Sequence, residues 1–376
     1  MVPTKVEKTK KSWSELNKTK KEEKKKWKEN NMLKKMDKQK LVETLEAETE
    51  EAAKVEEIIK KEEIKPVSTL SIAVAGSILE NAQSPELRTY LAGQIARAAC
   101  IFQVDEIVVF DDFSDEANAK KSTLQDNQGI KTARICCTQL GRILQYLECP
   151  QYLRKCFFPI HKDLKFSGIL NPLNAPHHLS VHDEFMFREG VVTNKPVKAG
   201  KGSLVNVGLY KDCQVDKLLT TGIRCTVKLL PQETEAKKLQ GVVVSPDTPR
   251  NETGTYWGYS VRIANSLSQV FSQCTYKNGY DLTIGTSDKG TSVDDFECPS
   301  YEHALIMFGG LQGLEAALEN DISLNAEDPK LLFDVYLNTL PEQGSKTIRT
   351  EEAILVSLAG LRPKLNPQVG PKSFFE

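Results

Sequence analysis

From residue 67 onward the apolar positions follow two different periods, and the change between them divides the chain. SIAVAG (71–76) is continuously apolar, as a parallel strand covered on both faces requires. Ser84, Pro85 and Glu86 then supply a capping hydroxyl, a proline at the first helical position and a first-turn acid. Leu87, Leu91, Ile95 and Ala98 or Ala99 recur behind them at helical spacing, and EIVVF (106–110) predicts the next strand. Strand, helix and strand in such a short span make a βαβ unit. A further helix is predicted over 131–148, followed by a loop-rich piece up to residue 185.

Between 186 and 247 the period shortens to two, and glycines bound short runs: FREGVVTN, GSLVNVGLY, CQVDKLL, GIRCTVKLL and LQGVVVSP. Five such strands predict a small antiparallel barrel of OB-like type. After Trp257 the α/β alternation resumes. DLTIGTS (281–287), HALIMFGG (303–310) and LFDVYLNT (332–339) read as parallel strands, with helices near 259–271, 311–319 and 350–361. The expected architecture is therefore an α/β parallel-sheet domain split by an inserted barrel. Its divisions are 1–66 (a charged disordered or helical tail), 67–185, 186–250 (the barrel) and 251–376.

Charge changes this picture only at the start of the chain. The net charge of −1 conceals 15 Lys against six acids in residues 1–40, followed by nine Glu against four Lys in 41–66. A basic arm of this kind suits a nucleic-acid contact or a nuclear address, the plain alternative being a solvated charged helix. No apolar run approaches the roughly 18 residues needed to cross a bilayer, so no membrane role is expected. Nine cysteines without a CxxC pair and five histidines give no support for a metal site.

Candidate chemistry gathers at four predicted strand ends: GSILENAQ after 76, GTSDKG after 284, GGLQG after 308 and NTLPEQGSKTIR after 337. Ligands of open parallel sheets bind at the carboxyl ends of strands. A dinucleotide fingerprint, a GxxxxGK[ST] phosphate loop and a GxSxG elbow are all missing. What is left is backbone NH and CO groups suited to a nucleoside-bearing ligand. Asn81 and Arg88 are the candidate catalytic residues, one to meet the edge of a base and the other to stabilise a developing anion. Arg88 and Arg97, with Lys289, are candidates for the nucleic-acid side, and Arg134, Arg142, Arg154 and Lys155 for RNA phosphate contact, whereas His177 and His178 read as a structural pair.

FGGLQGLE (308–315) with NTLPEQGSKTIRTEEAI (338–354) resembles the last two cofactor loops of the SPOUT methyltransferases. Together with AGSILENAQSPELRTYLAGQIARA and NPLNAPHH, the chain resembles the eukaryotic and archaeal SPOUT RNA methyltransferases that carry an OB-like insertion. That family includes a kinetochore- and spindle-associated member. The resemblance implies a trefoil knot and S-adenosylmethionine as cofactor. Its adenine would be held by backbone of Leu337, Asn338 and Thr339 and of Gly344, Ser345, Thr347, Ile348 and Thr350. Gly309 and Gly310 would pass close to it, and Thr286, Ser287 and Lys289 would complete that side. The resemblance further implies a homodimer with a shared active site, methylation at N3 of a uridine in large-subunit rRNA, and a nuclear or nucleolar location with mitotic partners. The rival reading is a non-catalytic RNA-binding or spindle scaffold on the same fold.

Overall fold

The computed structural model describes residues 67–113, 134–197, 200–231 and 238–365. The tail predicted over 1–66 lies outside them. Strand β1 (Thr69–Ala75) runs into a 3-10 turn (Gly76–Asn81) and then helix α1 (Pro85–Ile101). Ser84 caps α1 by accepting from the Leu87 amide, with Pro85 at the first helical position. Strand β2 (Glu106–Phe110) is buried at every position. Helices α2 (Ile135–Glu148) and α3 (Gln151–Phe157) follow.

The barrel strands are β3 (Phe187–Val192), β4 (Leu204–Asn206), β5 (Cys213–Gln214), β6 (Arg224–Leu229) and β7 (Leu239–Val244). They close in the order β3-β4-β5-β7-β6 around Val192, Val205, Val207, Cys213, Val215 and Val227. All five predicted strands are present and closure leaves no bare edge, but the barrel is not wholly antiparallel: β5 pairs with β7 in parallel, and β3 is buried at every position instead of alternating.

The chain then returns through α4 (Thr248–Thr253), β8 (Ser260–Ala264), α5 (Leu267–Ser272), β9 (Leu282–Ser292), β10 (His303–Phe308), α6 (Gly313–Glu319), β11 (Val335–Asn338) and α7 (Thr350–Leu361). Six strands form one parallel sheet in the order β11-β9-β10-β1-β2-β8. No helix among the described residues is long and apolar enough to cross a membrane.

Two expectations are corrected. The helix predicted over 259–271 is a strand in its first half. Val261 and Ile263 are β-branched, lie two apart and pack on Gly141, while Arg262 points the other way to Glu106. The helix starts only after Ser266, whose side chain caps it. Leu87, counted on the core face of α1, is 51 % exposed, whereas Leu91 and Ile95 are buried.

Candidate active site

β1 passes the chain to β2 on one side of the sheet, whereas β10 passes it to β11 on the other. The carboxyl ends of the adjacent strands β1 and β10 therefore form a topological switch point, where open parallel sheets leave a crevice. The four loops singled out in the sequence end β11, β9, β10 and β1, which are contiguous in the sheet. Parallel pairing brings them to one edge.

Strand β9 does not simply end at its loop. Its register against β11 jumps from Gly285 opposite Tyr336 to Thr291 opposite Leu337, so residues 286–290 bulge out. Thr286 Oγ1 donates to the Met307 carbonyl at 2.8 Å, and Ser287 Oγ accepts from the Lys289 amide. Lys289 Nζ meets Glu315 Oε1 of α6 at 2.9 Å. Asn338 Nδ2 donates to the Asp288 carbonyl, its Oδ1 accepts from the Leu340 amide, and Thr339 Oγ1 lies 2.6 Å from Ser357 Oγ. Thr350 Oγ1 donates to the Gly309 carbonyl, which docks the start of α7 on the β10 turn. Several hydroxyls assigned to the ligand thus hold the loops to one another.

The loop between them is different. Residues 341–348 make no backbone-to-backbone hydrogen bond among the described residues. Gly344, Ser345 and Thr347 are exposed, with Ser345 Oγ donating to the Thr347 carbonyl, and Ile348 is half-buried. Glu342 is held at φ 55°, a left-handed conformation that costs a non-glycine residue energy. The Ser345 and Thr347 carbonyls are taken by Gln343 Nε2 and Ser345 Oγ, so it is chiefly the NH groups of this strained loop that are equipped to bind a polar ligand.

Gly310 is required by the chain's own packing. A Cβ there would sit 2.7 Å from both Asp112 Oδ2 and Ser77 Oγ. Gly290 likewise lies under the Leu337–Asn338 backbone, which a Cβ would approach to 2.3 Å. Beneath Gly310 is a cluster in which Arg134, a candidate RNA contact, is instead paired with acids. Ser77 Oγ donates to Asp112 Oδ2 at 2.5 Å, and the Ser77 amide reaches Oδ1. Arg134 binds Asp111 at 2.7 Å and Asp112 at 3.1 Å, with Glu80 at 3.6 Å and its guanidinium over the Phe113 ring. Burial pushes the Asp112 carboxyl up from its ordinary value, against the Ser77 hydrogen bond and the Arg134 charge. The signal was the Asp111-Asp112 pair directly after β2.

Asn81 is exposed at the end of the 3-10 turn. Arg88, half-buried in the first turns of α1, keeps a buried Nε without a partner. The predicted RNA contacts do not form one patch. Arg97 donates to the Leu173 and Pro172 carbonyls, Arg142 pairs with Asp163, and Arg154 binds the Cys149 and Leu147 carbonyls with its guanidinium over Tyr146. Arg134 belongs to the Asp111-Asp112 cluster, and Lys155 is exposed. His177 and His178 both contact the Glu148 carbonyl, at 2.9 and 2.6 Å, as a structural pair. No group of three His, Cys, Asp or Glu among the described residues is placed to hold a metal ion.

The family described as "Putative RNA methyltransferase" matches residues 69–361, which takes in the whole sheet and the barrel. The chain belongs to that family. Relatives of this RNA methyltransferase include a fruit-fly protein 56% identical over 335 residues, covering 88% of this chain and 69% of the relative. A mouse protein is 58% identical over 305 residues (81% and 78%), and a human protein is 53% identical over 323 residues (85% of each). All three are named 28S rRNA (uridine-N(3))-methyltransferase.

Proposed function

We propose that this RNA methyltransferase transfers a methyl group from S-adenosylmethionine to N3 of a uridine in large-subunit rRNA. The observation that carries the reading is the gathering of four glycine- and hydroxyl-rich loops at one edge of the sheet, beside the β1/β10 switch point, with residues 341–348 making no backbone-to-backbone hydrogen bond among the described residues. The activity named for the fly, mouse and human relatives supports it.

The backbone of Leu337 to Thr339 and of Gly344 to Thr350 would hold the adenosine part of the cofactor. When bound, S-adenosylmethionine supplies an already activated methyl group, so the chain's task is alignment and management of the uracil N3 proton. Asn81 meets the imide edge of the base. Arg88, with its unpartnered Nε, faces the ring as it becomes anionic and stabilises that charge.

On this reading the sheet is the trefoil-knotted SPOUT fold and the barrel its OB-like insertion. The enzyme is a homodimer joined through α1 and α7. What supports the dimer is an apolar face that includes Leu87, Tyr90, Ile101 and Leu355, each more than 40 % exposed, beside a groove between the two helices. Acting on rRNA, the enzyme would work in the nucleus or nucleolus, and a kinetochore or spindle association rests on resemblance alone. Nucleoside mass spectrometry of rRNA from cells lacking the protein tests the reading. Loss of 3-methyluridine, restored by the wild-type gene, is expected. An unchanged 3-methyluridine content would refute it and favour a scaffold.

A further inference from the structure

Attack by N3 requires that its proton leave, and neither Asn81 nor an arginine is a base. A carboxylate lies beneath the β10 turn. Ser77, on the 3-10 turn after β1, and Asp112, just beyond β2, are joined by a 2.5 Å hydrogen bond directly under Gly310, and each keeps 6% of its surface accessible. A serine hydroxyl whose proton already points at a carboxylate can accept a proton from a third group while giving up its own. A side chain on the β10 turn would crowd this pair; glycine leaves it as the first set of heteroatoms beneath that turn.

We propose that Ser77 and Asp112 form the relay that deprotonates uracil N3, an inference that rests on the function proposed above. The N3–H bond breaks and the proton passes to Ser77 Oγ, while the Ser77 proton passes to an Asp112 oxygen. The N3 electron pair forms the new C–N bond, the methyl carbon–sulfur bond breaks, and its electron pair stays on sulfur. Ser77 touches the base, and Asp112 acts through it as the positioning residue and final acceptor.

Charged and titratable groups lie around Asp112 on three elements. Asp111 adjoins it, Arg134 at the start of α2 binds Oδ1, Glu80 on the 3-10 turn shares Arg134, and Cys136 and Cys137 follow on α2. Asn320, after α6, donates to the Asp112 carbonyl. Burial raises the Asp112 carboxyl's proton affinity, which brings it nearer to the value an effective base needs at neutral pH.

The test compares Asp112→Asn and Ser77→Ala with the full-length wild type in single-turnover methylation of an RNA oligonucleotide from pH 5 to 9. The substrate carries either uridine or 5-fluorouridine at the target; the fluorine makes N3–H more acidic and lessens the need for a base. Calorimetry of S-adenosylmethionine binding and thermal melts of the unliganded proteins run in parallel. The expected result for Asp112→Asn is a loss of about a hundredfold on uridine at pH 7. Its wild-type plateau should become a steady rise with pH, and the loss should shrink at least about tenfold on 5-fluorouridine, with cofactor affinity within about twofold of wild type. Ser77→Ala should move the same way. Wild-type rates and pH profiles in both variants would overturn the relay, as would equal losses on both substrates accompanied by weaker cofactor binding. No methyl transfer by the wild type would overturn the proposed function instead.

Discussion

Arg224 on barrel strand β6 grips Glu148 at the end of α2 through two N–H···O contacts, Nη1 to Oε2 at 2.6 Å and Nη2 to Oε1 at 2.8 Å. Its Nε reaches Glu189 Oε2 on β3 at 2.7 Å, while Thr226 and Trp257 satisfy the other Glu189 oxygen. This network fixes the barrel to the α/β layer. Glu148 and Glu189 are buried, so removing the shared cation leaves Glu189 without its counter-charge and Glu148 with His177 alone beside it. Arg224→Ala is expected to cost about 3 kcal/mol, at the lower end for breaking a buried pair. Urea denaturation gives the value, and a loss below about 1 kcal/mol would show that the network is not a structural anchor.

The same network predicts how stability depends on pH. Burial, then the neighbouring His177, holds His178 down to about 4. Burial acts to raise Glu148, but Arg224 and His177 outweigh it and hold the carboxyl at about 2. Both groups bind a proton more readily when unfolded, so their stabilisation is present at neutral pH and is lost on acidification. His178 acts as pH falls from about 6.5 towards 4, and Glu148 from about 4.5 towards 2. Melting temperatures measured between pH 7.5 and 4.5 should fall steeply for the wild type and less steeply for His178→Asn. Parallel curves would contradict the assignment.

Gly310→Ala places a methyl group against Asp112 Oδ2 and Ser77 Oγ. Overpacking of this kind costs about 1–3 kcal/mol, and the melting temperature should drop even without ligand. An unchanged melting temperature would mean that the β10 turn is free to move away from the pair.

For the loop after β1, Asn81→Ala and Arg88→Ala are each expected to slow single-turnover methylation at least about tenfold, roughly 1.4 kcal/mol of barrier. S-adenosylmethionine affinity, measured by calorimetry, should hardly change. Normal turnover in both variants would move the catalytic face elsewhere in the crevice.

The frame of the fold was legible because its signals are local. The Ser84-Pro85 start of α1, the apolar run of β2 and the short glycine-bounded runs of the barrel strands each declare themselves within a few residues. Strand β8 was not, because five residues with two β-branched positions directly before a capped helix look like the helix itself. The four loops were visible as glycine- and hydroxyl-rich strand ends, but their shared edge is a property of strand order. The Ser77–Asp112 contact spans 35 residues, and no spacing rule joins them. The arginine candidates show the converse. A cation is easy to find in sequence, whereas the carbonyls that occupy Arg97 and Arg154 are invisible there.

The central claim is tested most directly by incubating the purified full-length protein with S-adenosylmethionine and large-subunit rRNA fragments, then digesting the RNA for nucleoside mass spectrometry. The account predicts one new modified nucleoside, 3-methyluridine, absent when the cofactor is omitted and abolished when the target uridine is replaced by cytidine. Methylation at another base or ring position, or tight RNA binding with no methyl transfer, would contradict it.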